Sequence, residues 1–271
     1  MFRGASVVDS YVDTPHVLVP MALRELHQEL APSAVATLRF FVGESGTPMG
    51  PGGSDPDRTS LVWPVDLLND VVLGAGFQIL RRDQPAGPTA HRNGAALVQL
   101  ICRRERTLSD SVGDVMGVLL VGLNPSLHAA DVGFGFAGHS NRFWPAALEA
   151  GLVTTERDPN RALSHDYVGM TDIVKRATPR AAEIGAKEYR IGLNRLDRLC
   201  QWLRPGVVCV VGITGWRAAI QDRTAQIGLQ KRSIGGRTTY VMPNPSGLNA
   251  HTNHLDLVEH FTQMRRLQSA I

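Results

Sequence analysis

The chain has 271 residues, enough for one large or two ordinary domains, and 43% hydrophobic with 20% charged residues is typical of globular proteins. No apolar run approaches the roughly 20 residues that cross a bilayer, so we expect no membrane span. The net charge of +3 divides into about −3 over residues 1–114 and about +6 over residues 115–271. A polyanionic partner would therefore dock on the second part, although such a balance is also common in proteins that bind no nucleic acid.

The N-terminus and the cysteines indicate a reducing compartment. Asp9 and Asp13 interrupt the region where a signal peptide would carry its apolar core, so we expect a cytoplasmic protein. Cys102, Cys200 and Cys209 are too few and too widely spaced for a disulfide framework, and they lack metal-ligand spacing. We expect reduced thiols and neither a metal nor another cofactor.

The first part of the chain mixes helical and strand-like patterns. In chain order, the sequence predicts a helix over 18–31, a strand over 35–42, a Gly/Pro-rich loop over 43–60, a helix over 65–74, strands over 77–80 and 95–102, and a polar linker over 103–114. We therefore place a domain boundary between residues 114 and 115.

The second part alternates strands and helices. The predicted elements are a strand over 118–121, a helix over 143–150, a helix over 189–203, a strand over 207–211, a helix over 214–220 with Thr214 as its N-cap, a strand over 239–242, and a closing helix that contains Leu257 and Phe261. Such alternation favours a layered α/β domain with a largely parallel sheet.

One run in the second part combines a buried strand with polar residues at its end. It reads Val118-Leu-Leu-Val-Gly-Leu-Asn-Pro-Ser126, and Asn124 follows the apolar residues directly. Open α/β sheets bind ligands at the carboxyl ends of their strands, so Asn124 is a candidate site residue. The alternative is a turn in which Asn124 and Pro125 only shape the backbone.

A second strand ends in a similar sequence, Pro243-Asn-Pro-Ser-Gly-Leu-Asn249. Parallel strands would bring both loops to one edge of the sheet, where Phe134 and Phe136 could supply aromatic walls. Such a pocket suits a planar heterocycle, which stacks on rings and hydrogen-bonds to amides. Leu248 would be the apolar wedge that replaces a base in its stack.

These blocks resemble the mismatch-specific uracil-DNA glycosylase and thymine-DNA glycosylase family. The resemblance rests on Gly122-Leu-Asn-Pro-Ser126, Gly133-Phe-Gly-Phe136 with Asn141-Arg-Phe-Trp144, Gly169-Met-Thr-Asp-Ile-Val-Lys-Arg176, and Pro243–Leu248, in the family's order. It implies a three-layer α/β domain over 115–271 with a mostly parallel sheet. The implied activity is a monofunctional DNA glycosylase of base excision repair, which flips uracil, thymine or a modified pyrimidine opposite guanine and hydrolyses its N-glycosidic bond. The implied partner is double-stranded DNA with a G/U or G/T mismatch, bound by a monomer.

The resemblance also implies roles for single residues. Asn124 would hold the attacking water, Phe136 would stack on the flipped base, and Asn141 would shape the pocket. The remaining base-binding residues would be Gly122, Leu123 and Ala129, and the DNA-binding residues would be Asn244, Pro245, Ser246, Gly247, Leu248 and Asn249.

The chain departs from the family at several of these positions. Ser126 stands where glycine is common, and Ala129 resembles the thymine-active branch. Beyond Leu248, the sequence Asn249-Ala-His251 lacks an arginine that some members insert toward the widowed guanine. Mismatch preference is therefore the least secure part of the interpretation.

The sequence allows two interpretations for the roles of several basic and aromatic residues. Arg142, Lys175 and Arg176 could contact phosphates or form a solvated face. Phe143 and Trp144 are more often core than site residues, because aromatic residues at the start of a helix usually pack.

Residues 1–114 resemble the second half of a Rossmann-like, S-adenosylmethionine-dependent methyltransferase. The resemblance rests on Ser10-Tyr-Val-Asp-Thr-Pro15, the helix before Pro32, the strand Val35–Val42 and the turn Ala75-Gly-Phe77. The half with the cofactor loop is missing, so we expect a degenerate accessory segment. Two alternatives to a glycosylase remain, namely a methyltransferase remnant delivered to nucleic acid and a DNA lesion-binding protein without catalysis.

Overall fold

The computed structural model describes residues 7–43, 62–87, 90–92 and 94–269. The chain divides into two compact units, Met1–Ser109 and Asp110–Ile271. The boundary predicted from the sequence lies five residues later, and most of the predicted 43–60 loop lies outside the described residues. No helix among these residues is both long and apolar enough to cross a bilayer.

The first unit is built on a mixed sheet. Its elements are β1 (Val7–Ser10), α1 (Val19–Glu29), β2 (Val35–Val42), β3 (Val62–Trp63), α2 (Val65–Gly74), β4 (Phe77–Asp83), β5 (His91–Arg92) and β6 (Ala95–Arg104). The strand order is β1-β2-β6-β4, in which β1 and β2 are parallel and β6 runs antiparallel to both of its neighbours. The predicted helices and strands are present, but β1, β3 and β5 were not predicted from the sequence. The Rossmann-like and methyltransferase-like interpretation of this unit stays a prediction.

The predicted polar linker over 103–114 is wrong. Arg103 and Arg104 belong to β6, and Ser109 and Asp110 are buried although they are polar. Ser111 and Met170, which both belong to the second unit, exchange two backbone hydrogen bonds of 2.8 Å. Polar composition suggested a flexible connection, but hydrogen bonds satisfy these buried groups.

The second unit is a layered α/β domain, as predicted. Its elements are β7 (Val118–Gly122), α3 (Leu127–Val132), α4 (Phe143–Glu149), α5 (Pro159–Ser164), β8 (Val168–Asp172), α6 (Ala186–Leu203), β9 (Val207–Val211), α7 (Ile213–Ile220), β10 (Gly228–Leu229), β11 (Thr238–Met242) and α8 (His254–Ser269). The strand order is β10-β11-β9-β7-β8, with only β10 antiparallel to its neighbour.

Two apolar layers cover the faces of this sheet. Val118 and Leu120 of β7 pack in one core with Phe143 of α4 and Phe261 of α8. Leu119 and Val121 pack in the other core, which contains α6 residues. Because alternate side chains of a strand point to opposite faces, the apolar run of β7 indicates a strand covered on both sides.

The parallel strands place their carboxyl ends at one edge of the sheet. Gly122 of β7 pairs with Asp172 of β8, and β9 and β11 end alongside at Val211 and Met242. The β8 strand was not predicted from its sequence. The predicted N-cap at Thr214 is wrong, because α7 begins at Ile213 and follows Gly212, whose φ is 119°.

A buried charge cluster ties β8 to α6. Asp110 accepts hydrogen bonds from Thr171 at 2.6 Å and from Lys175 at 2.7 Å, and it pairs with Arg195 of α6. Burial by itself would raise the pKa of Asp110, but the charges of Arg195 and Lys175 hold it below its usual value. The carboxylate therefore balances cations that the core would otherwise exclude.

We expect Asp110→Ala to destabilise the second unit by about 3–5 kcal/mol, because it leaves two buried cations without their shared carboxylate. Urea unfolding would be followed by Trp144, Trp202 and Trp216 in a Trp63→Phe background, so that fluorescence reports on this unit. The control is Arg232→Ala, which removes an exposed ion pair to Asp197 and should cost less than about 1 kcal/mol. Equal losses in the two variants would contradict the prediction.

Candidate active site

Asn124 lies just beyond β7, with its side-chain orientation fixed by three acceptors. Its Nδ2 donates to the Pro125 carbonyl oxygen at 3.1 Å, the Arg176 carbonyl oxygen at 3.1 Å and Thr178 Oγ1 at 2.8 Å. Carbonyl oxygens only accept, so the amino group must face them and Oδ1 must point the other way. Among the residues that the structure describes, none donates to Oδ1, which leaves it able to accept from water.

Thr178 completes the support for Asn124 and was not predicted from the sequence. Its hydroxyl donates to the Arg180 carbonyl oxygen at 2.9 Å, so its lone pair is free to accept from Asn124. Its backbone N–H donates to the Pro125 carbonyl oxygen at 3.1 Å. Thr178 is almost completely buried and therefore holds the amide from a rigid position.

Phe136 lies beside this strand end in an uncommon backbone conformation. Its φ of 57° is left-handed, a region that bulky residues rarely occupy without support from their surroundings. The support includes a hydrogen bond from Trp144 Nε1 to the Gly135 carbonyl oxygen at 2.9 Å. The Phe136 ring stacks on Phe143 with centroids 3.9 Å apart and planes 8° apart, so a planar ligand could stack only on its opposite face.

Asp172 lies over Gly122 and is a site residue that the sequence analysis did not single out. A Cβ built on Gly122 would collide with Asp172 Oδ1 and would lie 3.8 Å from Phe136 Cζ. The glycine therefore leaves room for a carboxyl group and a ring tip at the end of β7. The sequence contained a signal for Asp172, because this polar residue follows a largely apolar segment as Asn124 does. The pairing of that segment with β7 could not be predicted from the sequence.

The other predicted base-binding side chains lie in three different environments. Asn141 Oδ1 accepts from the N–H of Phe143, the first residue of α4, at 2.9 Å. Leu123 packs in the core on the α7 side, away from the face that carries Phe136. Ala129 is buried in α3, where its N–H donates to the capping hydroxyl of Ser126 at 3.1 Å. Ser126 thus acts as a helix cap at the position where glycine was expected.

The loop formed by Asn244–Asn249 presents one leucine to solvent. Leu248 is 95% exposed, the largest fraction among the exposed large hydrophobic side chains of the described residues. Asn249 closes the loop: its N–H donates to the Ser246 carbonyl oxygen and its Nδ2 to the Asn244 carbonyl oxygen, both at 2.9 Å. The 244–249 loop is therefore ordered by its own hydrogen bonds while its apolar tip stays uncovered.

Arg142 fastens this loop to the start of α4. Its guanidinium donates to the carbonyl oxygens of Ser246 at 3.1 Å and Asn249 at 3.0 Å, and to that of Thr252. Ser140 reinforces the contact, because a side chain at Gly247 would collide with it. Arg142 thus fits neither earlier alternative, since it contacts backbone carbonyls of its own chain.

The other two candidate phosphate contacts also have partners within the protein. Lys175 is buried and pairs with Asp110, so it is neither a phosphate contact nor part of a solvated face. Arg176 is half exposed and pairs with Glu188 at 2.8 Å. Phe143 and Trp144 are core residues, as the packing interpretation expected.

The described residues offer neither a metal-ligand cluster nor an activated thiol. Among residues 7–43, 62–87, 90–92 and 94–269, no three His, Cys, Asp or Glu side chains are grouped so that they could hold a metal ion. Cys102, Cys200 and Cys209 are free and buried, and burial raises the pKa of each thiol above its usual value. The polar chemistry described at this edge of the sheet is therefore that of amide, hydroxyl and carboxyl groups.

A family model matches the part of the chain that contains these residues. The family model of the Uracil DNA glycosylase superfamily matches residues 112–266, more than half of the chain and all within the second unit. A solution NMR structure of a candidate uracil DNA glycosylase from Methanosarcina acetivorans is 20% identical, with a TM-score of 0.44. That match covers 60% of this chain and 98% of the other.

We expect Arg142→Met to loosen the 244–249 loop, because three carbonyl oxygens lose their shared donor. Hydrogen exchange at the backbone amides of Leu248 and Asn249 should become about tenfold faster, as expected for a loss of roughly 1–2 kcal/mol of local stability. Arg176→Met is the matched control, since it removes an arginine that does not contact the loop. Unchanged exchange in Arg142→Met would show that the loop orders itself without the clamp.

Proposed function

The chain belongs to the uracil DNA glycosylase superfamily, and from this premise we propose that its second unit hydrolyses the N-glycosidic bond of uracil in DNA. We propose further that it acts on a base flipped from double-stranded DNA at a G/U mismatch, and that thymine or a modified pyrimidine opposite guanine is also accepted. The proposal includes a monomeric, monofunctional enzyme of base excision repair that needs no cofactor. The observation that carries it is the fixed amide of Asn124, whose Oδ1 faces away from its protein partners.

An amide at this position limits the mechanism. Asn124 cannot take up a proton strongly, so it orients water by accepting one of its hydrogens. That role suffices when the glycosidic bond is largely broken before water adds, which leaves an oxocarbenium-like sugar and an anionic base. The rate then depends on positioning and on stabilisation of the departing anion, so we propose a slow enzyme with relaxed base selection.

Recognition of the base would come from the surfaces around Asn124. The face of Phe136 that Phe143 leaves open would stack on the flipped base. Gly122 leaves room for the approach of the base, and Ala129 would contribute through buried α3. Leu123 would contribute through its backbone, because its side chain lies in the opposite core. Asn141 would act indirectly, since its side chain accepts from the N–H of Phe143, on which Phe136 stacks.

The 244–249 loop would enter the DNA stack. Its geometry supports this role, because an exposed leucine on a loop ordered by Asn249 and Arg142 can fill the space of a displaced base. Asn244, Pro245, Ser246 and Gly247 would then lie against the DNA backbone or the widowed base. The excess of basic residues in the second part favours the approach of this polyanion.

We expect Asn124→Ala to reduce single-turnover cleavage of a G/U duplex by about 100-fold or more, because the water loses its fixed acceptor. Asn194→Ala, an exposed asparagine on α6, is the control and should leave the rate unchanged. A loss of less than about tenfold in Asn124→Ala would contradict its role. Tight binding of the lesion without cleavage by the unaltered protein would favour the lesion-binding alternative.

We expect Leu248→Ala to lower cleavage of uracil in duplex DNA by about tenfold or more, with little effect on uracil in single strands. The physical reason is that only the duplex has a stack that the leucine must refill. Leu255→Ala is the matched control, because Leu255 is also an exposed leucine of the second unit, at 69%. Equal losses on duplex and single-stranded substrates would refute the wedge role.

A further inference from the structure

The short segment 140–143 lies between the two parts of the candidate site and contacts both. On one side, the Phe143 ring supports the Phe136 ring, with planes 8° apart. On the other side, the backbone N–H of Arg142 donates to the Pro245 carbonyl oxygen at 3.1 Å, in addition to the three carbonyl oxygens that its guanidinium binds. The aromatic surface and the exposed loop are therefore attached to the same four residues.

Neither attachment leaves space for independent movement. Phe143 is fully buried, and its ring also meets the rings of Trp144 and Phe261 edge-on, with centroids 5.2 Å away in both cases. A Cβ on Gly247 would lie 2.6 Å from the Ser140 side chain and 2.8 Å from its carbonyl oxygen. Because closely packed groups transmit strain to their neighbours, a displacement on one side of the segment would reach the other.

Phe136 supplies an element whose stability a ligand can change. Its left-handed φ of 57° is unfavourable for a bulky residue and persists only where the surroundings hold it. Phe143 supports one face of the ring, and a planar base on the other face would add to that support. A bound base would thus favour the ordered form of this part of the chain, and such a differential effect is what coupling between two sites requires.

We infer that Arg142 is a positioning residue through which a base seated on Phe136 and Leu248 inserted in the DNA stack stabilise each other. The inference rests on the proposed function. The guanidinium holds the loop in its ordered form, so that the leucine fills the stack while the base stays on the aromatic ring. By thermodynamic reciprocity, the inserted leucine favours the seated base to the same extent.

A second route could connect the same two parts of the site. Phe143 contacts Phe261 of α8, and α8 begins at His254, shortly after the loop. Variants of Arg142 leave this route intact, so they distinguish it from the route through the guanidinium.

A double-mutant cycle on the full chain tests whether Arg142 acts through Leu248. Single-turnover cleavage of a G/U duplex is measured at saturating enzyme, where affinity for DNA no longer limits the rate. We expect Arg142→Met to slow cleavage about fivefold or more in the wild-type background, but less than about twofold in Leu248→Ala. Equal effects in the two backgrounds would overturn the inference, because a merely structural role of Arg142 would not depend on the leucine.

Arg161→Met is the matched control for this cycle. Arg161 is an exposed arginine of α5 that donates to Thr154 Oγ1 at 3.3 Å, and α5 precedes β8 at the edge of the sheet opposite to the site. Its loss should change the rate less than about twofold in either background.

Hydrogen exchange provides a readout that does not need DNA. The amide of Asn249, which donates to the Ser246 carbonyl oxygen, reports on the loop. Phe136→Ala should speed its exchange about fivefold or more in the wild-type background, but less than about twofold in Arg142→Met, where the connection is already broken. An undiminished effect in Arg142→Met would assign the coupling to the route through Phe261 and overturn the inference.

Tyr167→Ala is the matched control for the loss of the ring. Tyr167 is also aromatic and left-handed, with a φ of 58°, but it lies outside segment 140–143, so Asn249 exchange should stay unchanged. Phe136→Leu, which keeps an apolar side chain, gives the same comparison where Phe136→Ala unfolds the unit. If the chain cleaves no uracil but the exchange effects are non-additive, the proposed function fails and the connection through Arg142 stands. If it cleaves uracil and both cycles are additive, the inference alone fails.

Discussion

The pairing of β7 with β8 is the constraint on which the candidate site depends. The β7–β8 ladder ends at Gly122 and Asp172, but the segments that follow the two strands continue to form hydrogen bonds with each other. The backbone N–H of Ile173 donates to the Gly122 carbonyl oxygen at 2.9 Å, and the N–H of Val174 donates to the Leu123 carbonyl oxygen at 3.0 Å. Further along, the N–H of Thr178 donates to the Pro125 carbonyl oxygen. This extended contact brings the supports of Asn124 from a segment about 50 residues away in the chain. A shift of one residue would turn Asp172 to the opposite face.

The sequence could predict those features that are local. The apolar run of β7 predicted a strand covered on both faces, which the structure confirms. The polar residue after it made Asn124 a candidate site residue, and that role stays a prediction. Positive φ at Gly133, where α3 ends, and at Phe136 fits the glycine-rich composition of that segment. A glycine and an asparagine flank Leu248 and favour a turn, which accounts for its exposed position, whereas its role as a wedge stays a prediction.

The remaining features depend on contacts between distant segments. Thr178 and Asp172 belong to the site only because β8 lies beside β7, and single-sequence patterns do not give that register. Arg142 was interpreted as a phosphate contact or as part of a solvated face, because its neighbours Asn141 and Phe143 carry no charge that could pair with it. Its carbonyl partners lie more than 100 residues later. The buried linker residues were missed for the same reason, since polar composition reveals nothing about long-range hydrogen bonds.

Two aspartates of the second unit show opposite solutions to the burial of a carboxyl group. Asp110 is ionised, because Lys175 and Arg195 compensate its charge and Thr171 adds a hydrogen bond. In the part of the chain that the structure describes, no hydrogen bond to Asp172 is found, and burial favours its neutral form although the charges of Lys175 and Arg195 oppose this. The first arrangement stabilises the fold, whereas the second leaves hydrogen-bonding capacity unused. Unused capacity of this kind is typical of functional positions, where stability is sacrificed for binding.

The way in which Arg142 holds the 244–249 loop has an electrostatic consequence. A clamp made by a carboxylate would neutralise the guanidinium and would place a negative group beside the loop. Carbonyl oxygens hold it through their dipoles, and no acidic side chain pairs with Arg142 in the described part of the chain. The positive charge therefore persists at the base of the loop. Mechanical support and attraction for an anionic polymer come from the same side chain, so neither is gained at the expense of the other.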